Sequence, residues 1–172
     1  MNIEEKILKE TIKYEGNFLK FASVDVELPD GKLGNRDVIR HPGASAIIPF
    51  IDEDTVILVK QYRAAIKKSL LEIPAGKLEL NEDPLMCAKR ELEEETGMKS
   101  DNFNYLGSIA TGAGFTDEVI HIYKAANLYK GSKTCDEDEF IEIYKYKLSE
   151  VKKMIKDGKI IDAKTISAFM YL

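Results

Sequence analysis

The sequence predicts one layered domain of the α/β or α+β class, with a short β-rich extension before it. Two compact apolar runs, 44–51 and 55–59, are divided by Asp52-Glu53-Asp54, which is turn chemistry between buried strands. Three later segments carry helix start and stop signals and interleave with further strand patterns, as a layered fold requires. At 172 residues, 44% hydrophobic and 32% charged, the chain can build a core without metal or disulfide staples.

Between residues 20 and 28, Phe21, Val24, Val26 and Leu28 alternate with polar residues as in a half-buried strand, which the Pro29-Asp30-Gly31 turn ends. Residues 36–39 then read as its hairpin partner. This opening unit, 1–42, has too small a core to stand alone and should pack on something, which separates it from a main domain at 43–172. There the runs 44–51 and 55–59 begin the principal sheet. Further strands are expected at 118–125, where Ile120, Ile122 and Lys124 share a face, and at 140–146. The sheet they form reads as mixed or antiparallel.

Asp83-Pro84 forms an N-cap and first-turn pair for a helix that Gly97 stops. Ser149 is the expected cap of a second helix bearing Val151, Met154 and Ile155 and ended by Gly158. Asp162 caps a third, with Ile166, Phe169 and Met170 on its apolar side.

Thirty acidic residues against 25 basic ones give a formal charge of −5, and no long basic run occurs, which argues against nucleic acid as a partner but leaves free nucleotides open. Cys87 and Cys135 form no disulfide framework, so a reducing cytoplasm is expected. The start Met1-Asn2-Ile3-Glu4-Glu5-Lys6 is too charged for a signal peptide, and no apolar run reaches the ~20 residues that span a bilayer.

The helix at 84–96 breaks an electrostatic preference, because Glu91, Glu93, Glu94 and Glu95 crowd its last turns. Carboxylates there face the negative end of the helix dipole, at about 0.3–1 kcal/mol each when exposed. At about 100° per residue, with Glu91 as zero, Glu95 falls near 40° and Glu94 near 300°, whereas Glu93 falls near 200°. Three glutamates therefore share a face. Two unit charges ~4 Å apart repel by about 4 kcal/mol at an effective dielectric of 20. A divalent cation turns that repulsion into binding, and hard oxygen donors suit Mg²⁺ or Mn²⁺ rather than zinc.

Residues 76–98, GKLELNEDPLMCAKRELEEETGM, resemble the Nudix box at every fixed position: Gly76, five residues, Glu82, seven residues, then Arg90-Glu91-Leu92-Glu93-Glu94-Glu95-Thr96-Gly97. The resemblance implies a Nudix-like α/β/α sandwich with a mixed sheet. It also implies Glu91 and Glu95 as metal ligands, Glu94 as a further ligand or close support, and Arg90 as a structural arginine able to pair with Glu94 four residues on.

The flanks are similar to the ADP-ribose pyrophosphatase branch of that family. Leu71-Glu72-Ile73-Pro74-Ala75-Gly76 resembles its lead into the box, which makes the Ala75 carbonyl a metal ligand and Glu72 a substrate contact. Gln61-Tyr62-Arg63 resembles the segment whose arginine meets the substrate diphosphate, and Arg36-Asp37-Val38 the arm whose arginine helps bind nucleotide, often from the partner subunit. Gly112-Ala113-Gly114-Phe115-Thr116-Asp117-Glu118 resembles a substrate loop, with Gly114 and Glu118 as contacts, although Ala113 stands where proline is commoner. Asp136-Glu137-Asp138-Glu139 matches the branch's acidic loop, implying Glu137 as general base and Glu139 as an added metal ligand, two roles open to exchange.

The implied activity is Mg²⁺-dependent hydrolysis of ADP-ribose to AMP and ribose 5-phosphate by a homodimer whose 1–42 arm packs across the interface. The sequence is also compatible with a Nudix hydrolase of another nucleoside diphosphate derivative and with a nucleotide-sensing module without turnover.

Overall fold

The computed structural model describes residues 2–132 and 140–172. The chain forms two compact units, one of Met1–Gly43 with Ala110–Glu118, the other of Ala44–Ile109 with Val119–Leu172. Among the described residues no helix is long and apolar enough to cross a membrane.

The first unit is an antiparallel sheet of β1 (Lys6–Glu15), β2 (Lys20–Glu27) and β3 (Leu33–Arg40), paired in that order. β2 buries Ala22, Val24 and Val26, with Leu28 and Val38 packed beside them, because alternate residues of a strand share a face. Gly31 takes φ 81° in the turn, where a side chain would be strained. β1 went unread in the sequence. Its pairing with β2 shifts register between Ile7 and Lys9 and again between Ile12 and Tyr14, so its apolar residues lose the period of two that marks a strand. Residues 110–118 join this unit through β3: Ile39 N–H donates to the Phe115 carbonyl at 2.7 Å, and Asp117 N–H to the Ile39 carbonyl at 3.3 Å.

The second unit runs β4 (Ala44–Pro49), β5 (Thr55–Arg63), β6 (Lys68–Glu72), β7 (Ala75–Lys77), α1 (Pro84–Thr96), β8 (Met98–Lys99), β9 (Asn102–Ala110), β10 (Val119–Ala126), β11 (Tyr129–Lys130), β12 (Glu142–Lys147), α2 (Leu148–Lys156) and α3 (Ala163–Phe169). Its largest sheet has the order β7-β4-β10-β9 and is mixed, β4 lying parallel to β10 and antiparallel to β7. A second sheet has the order β12-β5-β6.

β4 is buried along its whole length, and its residues divide by parity. Ala44, Ala46 and Ile48 enter a core shared with β5, β10, α2 and α3, while Ile47 packs with Ala88 and Leu92 of α1 and Tyr123 of β10. Full burial of an Ile or Leu contributes roughly 1.5–3 kcal/mol, so Ile47 and Leu92 clamp α1 to the sheet. The turn before β5 is closed by Asp52, whose Oδ1 accepts from the N–H groups of Asp54 and Thr55. Those bonds hold its carboxyl near pKa 2.

Two boundaries differ from expectation. α2 begins at Leu148 rather than after Ser149, because Glu150 reaches back to accept from Lys147 N–H at 2.8 Å and the Asp54 carbonyl takes the N–H of Leu148. The last long strand begins at Glu142, where its pairing with Lys60 of β5 starts, and Phe140 lies exposed before it.

Candidate active site

Asp83 starts α1 by accepting from Leu85 N–H at 2.9 Å and Met86 N–H at 3.3 Å, with Pro84 supplying the preset first turn. Gly97 ends it at φ 67°, its N–H donating to the Glu93 carbonyl at 2.8 Å. These two caps fix where the glutamates of the last turns stand.

Glu91 and Glu95 point inward onto β7, and only 9% and 3% of their surface is exposed. Glu95 Oε2 accepts from Ala75 N–H at 3.3 Å. Glu91 lies against Gly76 so closely that a Cβ built there would sit 1.8 Å from its Oε1 and 2.0 Å from its carboxyl carbon. Glycine at 76 is thus a requirement of the carboxylate rather than of backbone torsion. Glu93 turns elsewhere, to Lys99 at 3.0 Å and to the N–H of Ser132.

Arg90 organises the cluster. Its Nε and Nη2 donate to the two oxygens of Glu82 at 2.9 Å each, and Nη1 donates to Glu91 at 2.7 Å and Glu94 at 2.9 Å. Nη2 also reaches the Lys77 carbonyl at 3.2 Å, tying the helix to β7. Glu82, then burial, then the charge of Glu91 act on the guanidinium, and the net effect raises its pKa further. The same bond from Arg90 outweighs burial at Glu82 and lowers that carboxyl. Burial, followed by the charges of Glu82 and Glu91, pushes the Cys87 thiol up to about 12, so it serves as packing under the cluster.

Among the described residues no three His, Cys, Asp or Glu side chains converge into a metal cage. The donor set nonetheless fits a hard divalent cation: buried carboxylates beside a glycine with no side chain in the way, next to the backbone of Ala75. Glu137 and Glu139 lie outside the described residues.

A second charged group stands where β5 meets β6. Arg63 donates from Nε to Glu72 Oε1 at 2.8 Å and from Nη2 to Oε2 at 2.7 Å, a bidentate fork. Glu72 is 1% exposed and also accepts from Lys164 of α3. Burial pushes the Glu72 carboxyl up, but Arg63 and Lys164 together outweigh it and hold the group below its ordinary value. Glu72 raises the Arg63 pKa in turn against its burial, and the negative fields of Glu95 and Asp162 reach Arg63 as well.

The structure therefore brings Ala75, Arg90, Glu91, Glu94 and Glu95 together, and bonds Arg63 and Glu72 to each other. Arg36, Gly114 and Glu118 belong to the first unit. There Arg36 pairs with Glu5, Gly114 sits in the turn closed by Phe115 N–H on the Gly112 carbonyl, and Glu118 accepts from Thr111 at 2.6 Å. Sequence reasoning left three participants out of the candidate set. Glu82 is a fixed position of the box, but its spacing of eight from Arg90 signals no helical pairing. Asp162 signals only a helix cap, and Lys164, 92 positions from Glu72, carries no local signal at all.

A family model described as NUDIX domain matches residues 40–169. The chain is 45% identical over 171 residues to the methanol dehydrogenase activator of Bacillus methanolicus, which covers 98% of this chain and 92% of that one. It is 38% identical over 173 residues to an ADP-ribose pyrophosphatase of Bacillus subtilis (strain 168), covering 99% and 94%. A crystal structure of an ADP compounds hydrolase shares the fold, with a TM-score of 0.87 at 21% identity over 99% of this chain and 94% of that one. Members of the family generally work with divalent metal ions, as carboxylates gathered at the tail of a helix would require. The chain belongs to the NUDIX domain family and is a pyrophosphohydrolase, similar to the ADP-ribose pyrophosphatases, acting on a nucleoside diphosphate compound.

Proposed function

We propose that the chain hydrolyses ADP-ribose to AMP and ribose 5-phosphate with Mg²⁺, Mn²⁺ serving as a substitute. The observation that carries this reading is the seating of Glu91 and Glu95 on Ala75–Gly76, with the Arg63 fork anchored three residues upstream on Glu72. Glu91, Glu94, Glu95 and the Ala75 carbonyl would hold the metal, with Glu139 joining them. Bound there, a divalent cation neutralises nonbridging phosphate oxygens and acidifies an attacking water. Arg63 binds the diphosphate through guanidinium donors that Glu72 does not use, since the fork engages two of about five N–H groups. Arg90 holds Glu91 and Glu94 in place, and Glu137 takes the proton of the water. Arg36 helps bind the nucleotide, and Gly114 and Glu118 are further substrate contacts.

Residues 1–42 act in this reading as a dimerisation arm on a catalytic domain at 43–172, in a cytoplasmic homodimer. The exposure of Ile7, Leu8, Ile12 and Tyr14 along β1 supports the arm, since such apolar side chains gain by being covered. Light scattering of the whole chain and of one lacking residues 1–42 tests it.

The 45% identity to a protein named for activating methanol dehydrogenase favours a second reading, in which hydrolysis of a nucleotide compound serves another enzyme. A panel of ADP-ribose, other nucleoside diphosphate sugars and dinucleotides, with Mg²⁺ present or chelated and products identified in ¹⁸O water, tests the substrate, and the same assays with methanol dehydrogenase added test the second reading. Metal-dependent release of AMP, fastest from ADP-ribose, is the expected result. Ligand binding without turnover overturns the proposal in favour of a sensing module.

A further inference from the structure

Lys164 lies on the first turn of α3 with only 12% of its side chain exposed, and it is bonded to a buried carboxylate on another element. Its ammonium meets Glu72, the residue on which the Arg63 fork rests, and lies 3.2 Å from Asp162 Oδ1. The other oxygen of Asp162 accepts from the N–H of Thr165 at 2.9 Å and from its hydroxyl at 2.6 Å. That hydroxyl in turn accepts from Ile73 N–H at 2.9 Å. One short helix thus grips two consecutive residues of the strand end, Glu72 by its side chain and Ile73 by its backbone. The Pro74 carbonyl bonds Ile47 of β4, and Ala75 bonds Glu95.

We propose that Lys164 is a positioning residue for the substrate diphosphate, acting through Glu72 on Arg63. This rests on the reading above, in which Arg63 receives the diphosphate. Two functions combine in it. The first is geometric: a carboxylate held by one bidentate partner pivots with that partner, whereas one pinned from a second element fixes the plane of the fork. The second is electrostatic. With Lys164 present, two cations balance Glu72 and Asp162. Without it, Arg63 is outnumbered by two carboxylates, and Glu95 adds its own field. A diphosphate would then approach surplus negative charge. A tie between α3 and β6 alone would not call for an ion pair, since a whole buried pair replaced by hydrophobic residues is often neutral for stability.

The test measures binding of inorganic pyrophosphate in Mg²⁺ buffer by calorimetry, beside steady-state hydrolysis of ADP-ribose. For Lys164→Met the pyrophosphate Kd is expected to rise about tenfold, while Lys164→Arg stays within about twofold of the parent. The KM for ADP-ribose should rise by a similar factor with kcat changing less than about threefold, because Arg63 holds ground state and transition state alike. Asp162→Asn keeps a capping side chain but removes a negative charge, so it should tighten pyrophosphate about threefold. Should Lys164→Met not fold, the arginine and asparagine variants carry the test. Unaltered pyrophosphate binding in a folded Lys164→Met protein overturns the proposal, as does equal weakening by Asp162→Asn, which would mark a merely structural tie. A parent protein that does not bind pyrophosphate overturns it too. If the parent binds pyrophosphate with this order of variants yet leaves ADP-ribose intact, the ADP-ribose reading fails and the role of Lys164 stands.

Discussion

At the tail of α1 one guanidinium, Arg90, is bonded by Glu82, Glu91 and Glu94, with Glu95 on the same face of the helix. Where β5 meets β6 one carboxylate, Glu72, is bonded by two cations, Arg63 and Lys164. Both clusters contain buried carboxylates, Glu91 and Glu95 in the first and Glu72 in the second, and two residues, Ile73 and Pro74, separate Glu72 from Ala75. Their balance is opposite. The first holds an excess of negative charge that its arginine only partly offsets, the second an arginine kept charged by matched partners. A buried excess of carboxylate is costly unless a cation enters, whereas a balanced arginine keeps donors for an anion. Placed side by side, the two suit a metal-bound diphosphate better than either alone.

The largest effect should follow from Gly76→Ala. The added methyl collides first with the Glu91 carboxylate, so it tests whether the first cluster's geometry serves chemistry or folding. A misplacement of about 1 Å can cost about 100-fold in rate, and kcat/KM should fall by at least that while the melting temperature moves by only a few degrees. Parent-like turnover would break the comparison by showing that Glu91 has no task.

Arg90→Gln should come next. It leaves Glu82, Glu91 and Glu94 facing one another without their shared cation, which at partial exposure should cost about 2 kcal/mol of stability. Added Mg²⁺ should restore part of that loss by binding the native state alone, read as a metal-dependent rise in melting temperature larger than the parent's. Equal rises in both proteins would count against surplus charge at this cluster.

The second cluster should show in the acid limb. Glu72 has its folded pKa held below the ordinary 4.5, so the unfolded chain takes up its proton first. Its stabilisation is complete above about pH 4.5 and is lost as pH falls through the folded value. Thermal melts between pH 3 and 6 should show this slope in the parent and a flatter one in Glu72→Gln. A parallel slope in both would assign the acid sensitivity elsewhere. The smallest effect concerns Cys87, whose buried thiol should resist alkylation at neutral pH until the protein unfolds, as mass spectrometry of the labelled peptide would report.

The same contrast explains what the sequence makes legible. The helix cluster is local: caps at Asp83 and Gly97, glutamates at angles set by 3.6 residues per turn, and Arg90 four residues before Glu94 are all written in one stretch. The β5–β6 cluster is not. Arg63 and Glu72 are named by resemblance, but the register sets Arg63 opposite Lys68 and Glu72 opposite Val59, so their bond depends on side chains reaching along the sheet, and Lys164 arrives from a distant helix. β1 escaped for a third reason, since two register shifts scramble the alternation by which a strand is read.

The grip of Thr165 on Ile73 has a consequence for biosynthesis. A ribosome adding residues in order completes the box helix and the strand before it some seventy positions before it makes their brace, a separation of 92 between bonded residues. A nascent chain halted near position 160 would carry the glutamates yet lack the clasp that sets the strand end. The finished centre therefore waits until Thr165 has been made and has folded back onto Ile73.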